Sequence, residues 1–495
     1  MNKNRLSLQN VKKTLRTAVG FFLLTIGSSQ CFAQSQTGSA DLKSVRNRQY
    51  LEIINSLYYY IQQNYVEEVD PEILYQGALK GMLESLKDPH SAYLSKDEWR
   101  NLSDTTVGSF GGVGLQISKP SENTPEKPAY VLVSQPIDDS PGEQAGIQSG
   151  DKIIKIDGVD TSTITMNEVL GMLRGTVGES VTVTIRRGKN MEFDRTLVRA
   201  VIETSSVKYG MIRSTGYIRI SDFSPNTVEG VQKAIDSFEA ENYDSLIIDL
   251  RNNGGGLLNA AVAVVDKFID TGTIVATKSR IAYENQVFTA SESKTVVDSN
   301  IPVIVLINRA SASASEIVAG ALKDTHRAYL VGERSFGKGS VQIPTALIAN
   351  DGFKITVAKY YSPSDVNIDK VGIPADREVK YPEFSESEEK AYSAIMSDDK
   401  ISEYVEEHPG MTDVDIGAYA VELQKDYALD LRTIRKIIRN EVDKTKKARL
   451  YDLDFDLQLN AALDMFATEN VLSLSRSAKT LKEIQAESDT KAESK

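Results

Sequence analysis

Val303-Ile304-Val305-Leu306-Ile307-Asn308-Arg309-Ala310-Ser311-Ala312-Ser313-Ala314-Ser315-Glu316 runs from an unbroken apolar stretch straight into alternating small residues. An apolar run of strand length without polar alternation belongs to a strand buried on both faces, as in a sheet covered by helices on either side. Residues 315–322 read as the helix that follows. Ser313 thus lies where a buried strand hands over to a helix, the position at which α/β sheets hold ligands and helix N-termini stabilise anions. Working outward, strands at 217–220, 246–250 and 329–331 alternate with helices at 228–238 and 257–269, and 353–360 is read as the strand that closes the sheet. That order specifies an α/β layered core over about residues 210–365.

The second informative stretch is Phe336-Gly337-Lys338-Gly339-Ser340-Val341-Gln342. A serine hydroxyl is a weak nucleophile until a nearby base takes its proton, and lysine can be that base only if burial keeps its amine neutral. Glycines on both sides of Lys338 suit close packing. Roles and not residue types define such a catalyst, so a Ser/Lys pair can replace a Ser-His-Asp triad. The plainer reading is that small residues let a helix pack on a sheet and that a glycine-flanked lysine marks a solvated turn. Residue types alone leave Ser311, Ser313 and Ser315 as alternatives.

The turn Asp249-Leu250-Arg251-Asn252-Asn253-Gly254-Gly255-Gly256 follows another buried strand and opens another helix. Its backbone can supply one oxyanion donor and the amide of Ala314 the other; otherwise it is a tight turn without a ligand. A dinucleotide site is not supported, because G-x-G-x-x-G is absent. Residues 332–339 match a phosphate-binding loop except at the last position, where Gly339 replaces the hydroxyl that holds magnesium, and 340–343 read as strand where a helix is needed. His90, His326 and His408 are the only histidines, and neither G-x-S-x-G nor H-E-x-x-H occurs, so a His-based triad and a zincin are unsupported. The S-x-x-K matches at 149–152 and 291–294 lack S-D-N and K-T-G companions and read as turn and surface chemistry.

At 495 residues the chain exceeds one hydrophobic core, which implies three or four domains. Residues 1–33 carry Lys3, Arg5, Lys12, Lys13 and Arg16 without an acid, then an apolar run at 18–26, then Cys31-Phe32-Ala33, which reads as a secretory signal cleaved after Ala33. The run is short for a membrane span, and Gln30 fits a lipoprotein signal poorly; an uncleaved anchor is the alternative. Loss of those five cations takes the net charge from −12 to about −17, which disfavours nucleic acid as a partner. Cys31 is the only cysteine and leaves with the signal, which excludes thiol catalysis and zinc–thiolate sites in the exported chain. No metal and no cofactor is called for.

Residues 42–99 show helical spacing, ending as an element near Asp88-Pro89-His90. From about 107 to 200 the texture changes to strands at 113–117, 130–133, 152–156 and 180–185, with one helix at 166–174. With Gly111-Gly112-Val113-Gly114-Leu115-Gln116 at its start and turns around 141–151, this stretch resembles a PDZ domain. In that fold a glycine-containing loop offers amides to a peptide's terminal carboxylate and the peptide adds a strand to the sheet edge; the resemblance implies Gly112, Val113, Gly114, Leu115 and Gln116 as the peptide-binding residues. Beyond Pro382 the chain is charged and mostly helical, clearest at 429–442 and 457–466, and the last twenty residues, poor in apolar content, are read as disordered.

Ser311 to Leu322, with Gly332-Glu333 and the 336–342 stretch after it, resembles the signature of the carboxy-terminal processing (tail-specific) proteases, and the likeness covers roughly residues 50–380. It implies a multidomain α/β and α+β protein: a ClpP/crotonase-like α/β protease core with an inserted PDZ domain, a helical N-terminal element and a helical C-terminal region. The divisions expected are signal peptide 1–33, N-terminal helical element 34–104, PDZ domain 105–200, protease core 201–382 and C-terminal helical region with disordered tail 383–495. Carried over by position, the nucleophile falls on Ser313, the general base on Lys338 and the residue that orients the lysine on Gln342. The oxyanion donors fall on Ala314 and, within the 249–256 turn, on Gly255 or Gly256. Two features depart from the pattern: Arg309-Ala310 stands where a glycine-containing pair is common, and the region after about 385 lies outside the shared core.

The resemblance implies an exported serine endopeptidase that selects proteins by accessible apolar C-termini. Its expected location is periplasmic or otherwise outside the cytoplasm, membrane-associated if the N-terminal segment stays uncleaved. An adaptor protein and a homo-oligomer are compatible with it. Arg174, just after the PDZ helix, is positioned to link peptide binding to site assembly, against the plainer reading of a surface arginine. The rival from another class is a non-catalytic scaffold that binds tails through the PDZ domain, in which Ser313 or Lys338 would be expected to be lost; both are present.

Overall fold

The computed structural model describes residues 37–493 apart from 121–122, 126–127, 138, 189–190, 204, 445 and 447–448. The signal segment and Cys31 lie outside the described residues. The chain forms two compact units divided after Leu79. The first holds the helix Thr37–Asn64 and the start of the helix Pro71–Glu84, which is set by proline and by Asp70, which accepts from the Glu72 N–H at 2.8 Å.

The second unit is organised on a six-stranded sheet in the order Val207–Ile212, Thr215–Ile220, Ser245–Asp249, Val303–Ile307, Tyr329–Gly332, Arg377–Glu378. Its first pair is antiparallel and all the others are parallel. Every residue of Ser245–Asp249 and Val303–Ile307 is buried. Alternate side chains explain why. Leu246, Ile248, Val303, Val305 and Ile307 pack under the helices Thr227–Ala240, Leu258–Val265 and Ala314–Asp324, whereas Ile247, Ile304 and Leu306 pack under Leu459, Ala462 and Met465 of the helix Leu457–Thr468. The charged C-terminal region therefore supplies the second cover of the sheet.

The strand Gly352–Tyr361 does not close that sheet. It pairs antiparallel with Ala92–Leu94, Thr273–Ser279 and Ser340–Ala346 in a separate sheet, because the short connection after Ser340–Ala346 folds it back as a hairpin. The parallel edge goes instead to Arg377–Glu378. The single tryptophan, Trp99, belongs to the helix Lys96–Val107 and lies on Gly352, where a β-carbon would come within 2.1 Å of the indole ring.

The region read as PDZ-like forms its own antiparallel sheet in the order Leu115–Ser118, Val131–Pro136, Lys152–Ile156, Ser180–Arg187, Met191–Val198. Val133, Ile153, Ile156, Val183 and Ile185 build its core with Val169 and Leu173 of the helix Met166–Leu173. The stretch 113–117 is not one strand: Gly114, at φ +69°, separates Ser109–Gly112, which pairs with Ala200–Glu203, from Leu115–Ser118. The terminal stretch read as disordered is helical over Leu481–Glu493. Its anchor is Leu481, 4% exposed beside Gly320 of the helix Ala314–Asp324, with its N–H on Asp324 Oδ1 at 2.7 Å; one well-placed leucine outweighs a polar composition.

Candidate active site

The three serines of the 311–315 run have different fates. Ser311 Oγ donates to the Leu250 carbonyl at 2.8 Å and Ser315 Oγ to the Asn253 carbonyl at 2.9 Å, and both residues are fully buried. These bonds, with Ala312 N–H on the Asn253 carbonyl at 3.0 Å, sew the serine segment to the glycine-rich turn. Ser313 between them is only half-buried and sits at φ 56°, ψ −115°, immediately before the helix Ala314–Asp324. A non-glycine residue there is strained by about 1–3 kcal/mol. Such a strand-to-helix turn presents a hydroxyl outward over the first amides of the helix.

Glu316 holds this strained turn, a role that motif reading did not reveal. Its buried carboxylate accepts from Ser313 N–H at 2.9 Å, Lys338 N–H at 2.8 Å, Gly337 N–H at 2.8 Å and Ser335 Oγ at 2.5 Å. Burial pushes its pKa up and the four donors pull the other way, leaving it above the ordinary value. One side chain thus fixes the backbone of both Ser313 and Lys338.

Lys338 is partly buried, and its amine is held below its ordinary pKa by burial first and by the Lys354 charge second, against Glu316 and Asp88. The flanking glycines are required by packing: a β-carbon at Gly339 would lie 2.5 Å from the Asp369 amide and one at Gly337 2.9 Å from that of Gly372. The buried Tyr360 phenol donates to the Lys338 carbonyl. Burial, followed by Glu316, raises its own pKa well above the ordinary value, with the Ser313 side chain close by. Gln342 Nε2 donates to Ser340 Oγ at 2.9 Å and Thr356 Oγ1 at 3.1 Å. Thr356 N–H in turn donates to Ser91 Oγ, which donates to Asp88 at 2.6 Å. No hydrogen bond joins the Lys338 amine to the Ser313 hydroxyl or to Gln342 among the described residues. The turn, the lysine loop and the glutamine strand are brought together by backbone bonds through Glu316 and Tyr360.

Gly255, at φ +110°, lies against Ser313: a β-carbon there would come within 2.7 Å of the Ser313 β-carbon and 3.1 Å of the Ala314 nitrogen. Its N–H donates to Asn253 Oδ1 at 2.8 Å, so a further acceptor would share it. Gly256, at φ +138°, faces Phe223 instead, with the Phe223 carbonyl 2.3 Å from where a β-carbon would be. Ala314 stands at the N-terminus of its helix, beside Gly255.

Of the residues read as peptide-binding, Gly112 lies in the Ser109–Gly112 pair, and Leu115 and Gln116 lie on the edge strand of the small sheet. The carbonyls of Val113 and Gly114 accept from Gly142 N–H and Ile137 N–H, each at 2.8 Å, which fixes the loop. Among the described residues Leu115–Ser118 pairs on one side only, with Val131–Pro136. Arg174 is no free surface residue. It stacks over Phe110 at 4.5 Å and donates to Asn101 at 2.7 Å and Asp104 at 3.3 Å of the helix Lys96–Val107.

Comparison with known proteins places this arrangement. Over 377 residues the chain is 37% identical to the carboxy-terminal-processing protease of Bartonella bacilliformis, spanning 75% of this chain and 83% of that one, and residues 214–379 match the model of peptidase family S41. The chain is an S41 serine peptidase of the carboxy-terminal processing type. Other relatives of this S41 group include the carboxyl-terminal-processing protease of Synechocystis, 38% identical over 63% of this chain and 72% of that one. The carboxy-terminal processing protease CtpA of Bacillus subtilis is 33% identical over 75% and 77%. Residues 132–187 match a PDZ domain and 17–98 the N-terminal domain of the activating protease CtpB. In this S41 peptidase the serine turn, the glycine-rich turn and Lys338 all fall inside the family match, whereas the helices covering the second face of the sheet lie beyond it.

Proposed function

We propose that the chain is an exported endopeptidase that captures the C-terminal tails of protein substrates in its PDZ domain and cuts them with Ser313 as nucleophile and Lys338 as base. The observation that carries this reading is the left-handed Ser313, tied by one buried glutamate to the loop that presents a lysine of depressed pKa. Neutral Lys338 takes the Ser313 proton as the hydroxyl attacks the peptide carbonyl, and the Ala314 amide with that of Gly255 or Gly256 receives the developing oxyanion. Protonated Lys338 donates to the leaving amine, and water, deprotonated by the same amine, hydrolyses the acyl-enzyme. Gln342 orients the lysine. The leader at 1–33 supports export, to the periplasm in a two-membrane cell, and the divisions near 105, 201 and 383 assign tail capture, catalysis and sheet cover to successive parts of the chain.

The edge strand Leu115–Ser118 supports addition of the substrate tail as a further strand, with its carboxylate in the 112–116 loop. The test is cleavage of an unfolded reporter with an apolar tail, free or amidated. Amidation is expected to lower kcat/KM about tenfold or more, the scale of lost hydrogen bonds to a charged group. Equal kcat/KM for the two tails would remove carboxylate capture from the mechanism.

The reaction also has a defined pH sense. A base must be neutral to act, and the Lys338 pKa is depressed, so kcat/KM rises with pH through that pKa and levels off above it. Lys354 is one cause of the depression. Lys354→Met is therefore expected to move the rising limb to higher pH, read from pH–rate profiles; an unmoved limb would mean another group titrates.

A further inference from the structure

The turn that lays Gly255 against Ser313 is held from two sides. On one side are the serine segment and Asn308, whose Nδ2 donates to Asn252 Oδ1 at 2.9 Å and whose Oδ1 accepts from Asn252 N–H at 3.0 Å. On the other side is the C-terminal region. Arg251, 6% exposed, gives Nε and a terminal nitrogen to Asp249, at 2.9 and 2.5 Å, and both terminal nitrogens to Asp456, each at 2.7 Å; its remaining donor reaches Gln458 Oε1 at 3.2 Å. All five N–H groups of the guanidinium are used, which fixes its plane completely.

Asp456 is itself immobilised. It caps the helix Leu457–Thr468, accepting from Leu459 N–H at 3.0 Å, and takes a further bond from Tyr381 Oη at 3.1 Å. Leu459, Ala462 and Met465 of the same helix pack on the strands whose ends carry both turns of the site. Asp249, the other anchor of Arg251, is fully buried and also held by Tyr217 Oη at 2.7 Å.

We propose that Asp456 is a positioning residue for the reaction: by completing the fork around Arg251, the C-terminal region sets the 249–256 turn against Ser313. Asp456 touches no reacting atom. Without its charge Arg251 keeps one carboxylate, two of its buried donors lose a charged acceptor, and the turn can rotate about the Asp249 pair and shift the amides near Gly255. This role rests on the Ser/Lys reading of the site.

The test uses the full chain and the same reporter, with kcat, KM and thermal midpoint measured well below unfolding. Asp456→Asn is expected to lower kcat about tenfold or more, toward the hundredfold scale of a lost oxyanion donor, with KM within about twofold. Asp456→Glu, which keeps the charge, is expected to recover part of that loss. The control is Asp452→Asn, which loosens the same region through Arg439 without touching Arg251 and is expected to lower the midpoint while leaving kcat unchanged. Wild-type kcat in folded Asp456→Asn, or an equal kcat loss in Asp452→Asn, would overturn the proposal. If Asp456→Asn does not fold, Arg251→Lys, which keeps a charge beside Asp249 but cannot form the fork to Asp456, decides: lowered kcat at unchanged KM supports the role and wild-type kcat overturns it. Ser313→Ala is run alongside. If it still cuts, the Ser/Lys reading fails first; if it is inactive while Asp456→Asn matches wild type, only the positioning role fails.

Discussion

Ser313→Ala and Lys338→Ala are each expected to lower kcat by at least ~10⁴-fold, and the double variant to be no slower than the worse single one. In the proposed mechanism the hydroxyl and the amine perform one proton transfer between them, so removing either removes the step, and a second removal finds nothing left to take. The bonds that shape the site survive in all three variants, because Glu316 grips Ser313 and Lys338 by their backbone amides and Tyr360 grips the Lys338 carbonyl. Thermal midpoints close to wild type are therefore expected, and the lost activity is chemical. Steady-state cleavage of the tailed reporter by the four proteins measures this. Losses that multiply in the double variant would show two groups acting independently and would reject the Ser/Lys unit.

The second large effect is expected at Glu316. Its carboxylate receives four donors in a buried setting. Glu316→Gln keeps the shape but offers one oxygen, and turns an amide N–H₂ toward donors that already need acceptors. Leaving buried donors unsatisfied costs about 1–3 kcal/mol each, so a loss of about 2–4 kcal/mol in urea unfolding is expected. Activity should fall more steeply, about a hundredfold or more in kcat, because the left-handed Ser313 and the lysine loop lose their common brace. A Gln variant with wild-type kcat would make the brace irrelevant to chemistry, whatever its stability.

The parts of the molecule legible in the sequence are those that neighbouring residues encode. An unbroken apolar run has only a doubly covered strand to occupy, and Val303–Ile307 is that strand to the residue. Alternation found the strand at 180–185, the greater part of Ser180–Arg187, and the glycines beside Lys338 announced the tight packing they allow. Pairing is another matter: 353–360 reads as a strand, but nothing local says that its neighbour is a hairpin partner and not the parallel edge. The site follows the same division. Ser313, Lys338 and the glycine-rich turn stand in recognisable stretches. A glutamate in the first turn of a helix ordinarily reads as a cap, so the three other bonds of Glu316, made to a loop about twenty residues on, left no mark. Asp88 beside Lys338 and Asp456 beside Arg251 are joined to the site only by folding.

The chain's one tryptophan has a use that follows from its seat. Trp99 rests on Gly352 and shares its helix with Asn101 and Asp104, which hold Arg174 at the end of the small sheet's helix. Its indole therefore stands at the seam between the PDZ domain and the hairpin that carries Gln342. With no other indole in the chain, light at the red edge of indole absorption, which the 21 tyrosines do not absorb, excites that seam alone, and the protein carries a native optical reporter of it without any attached dye.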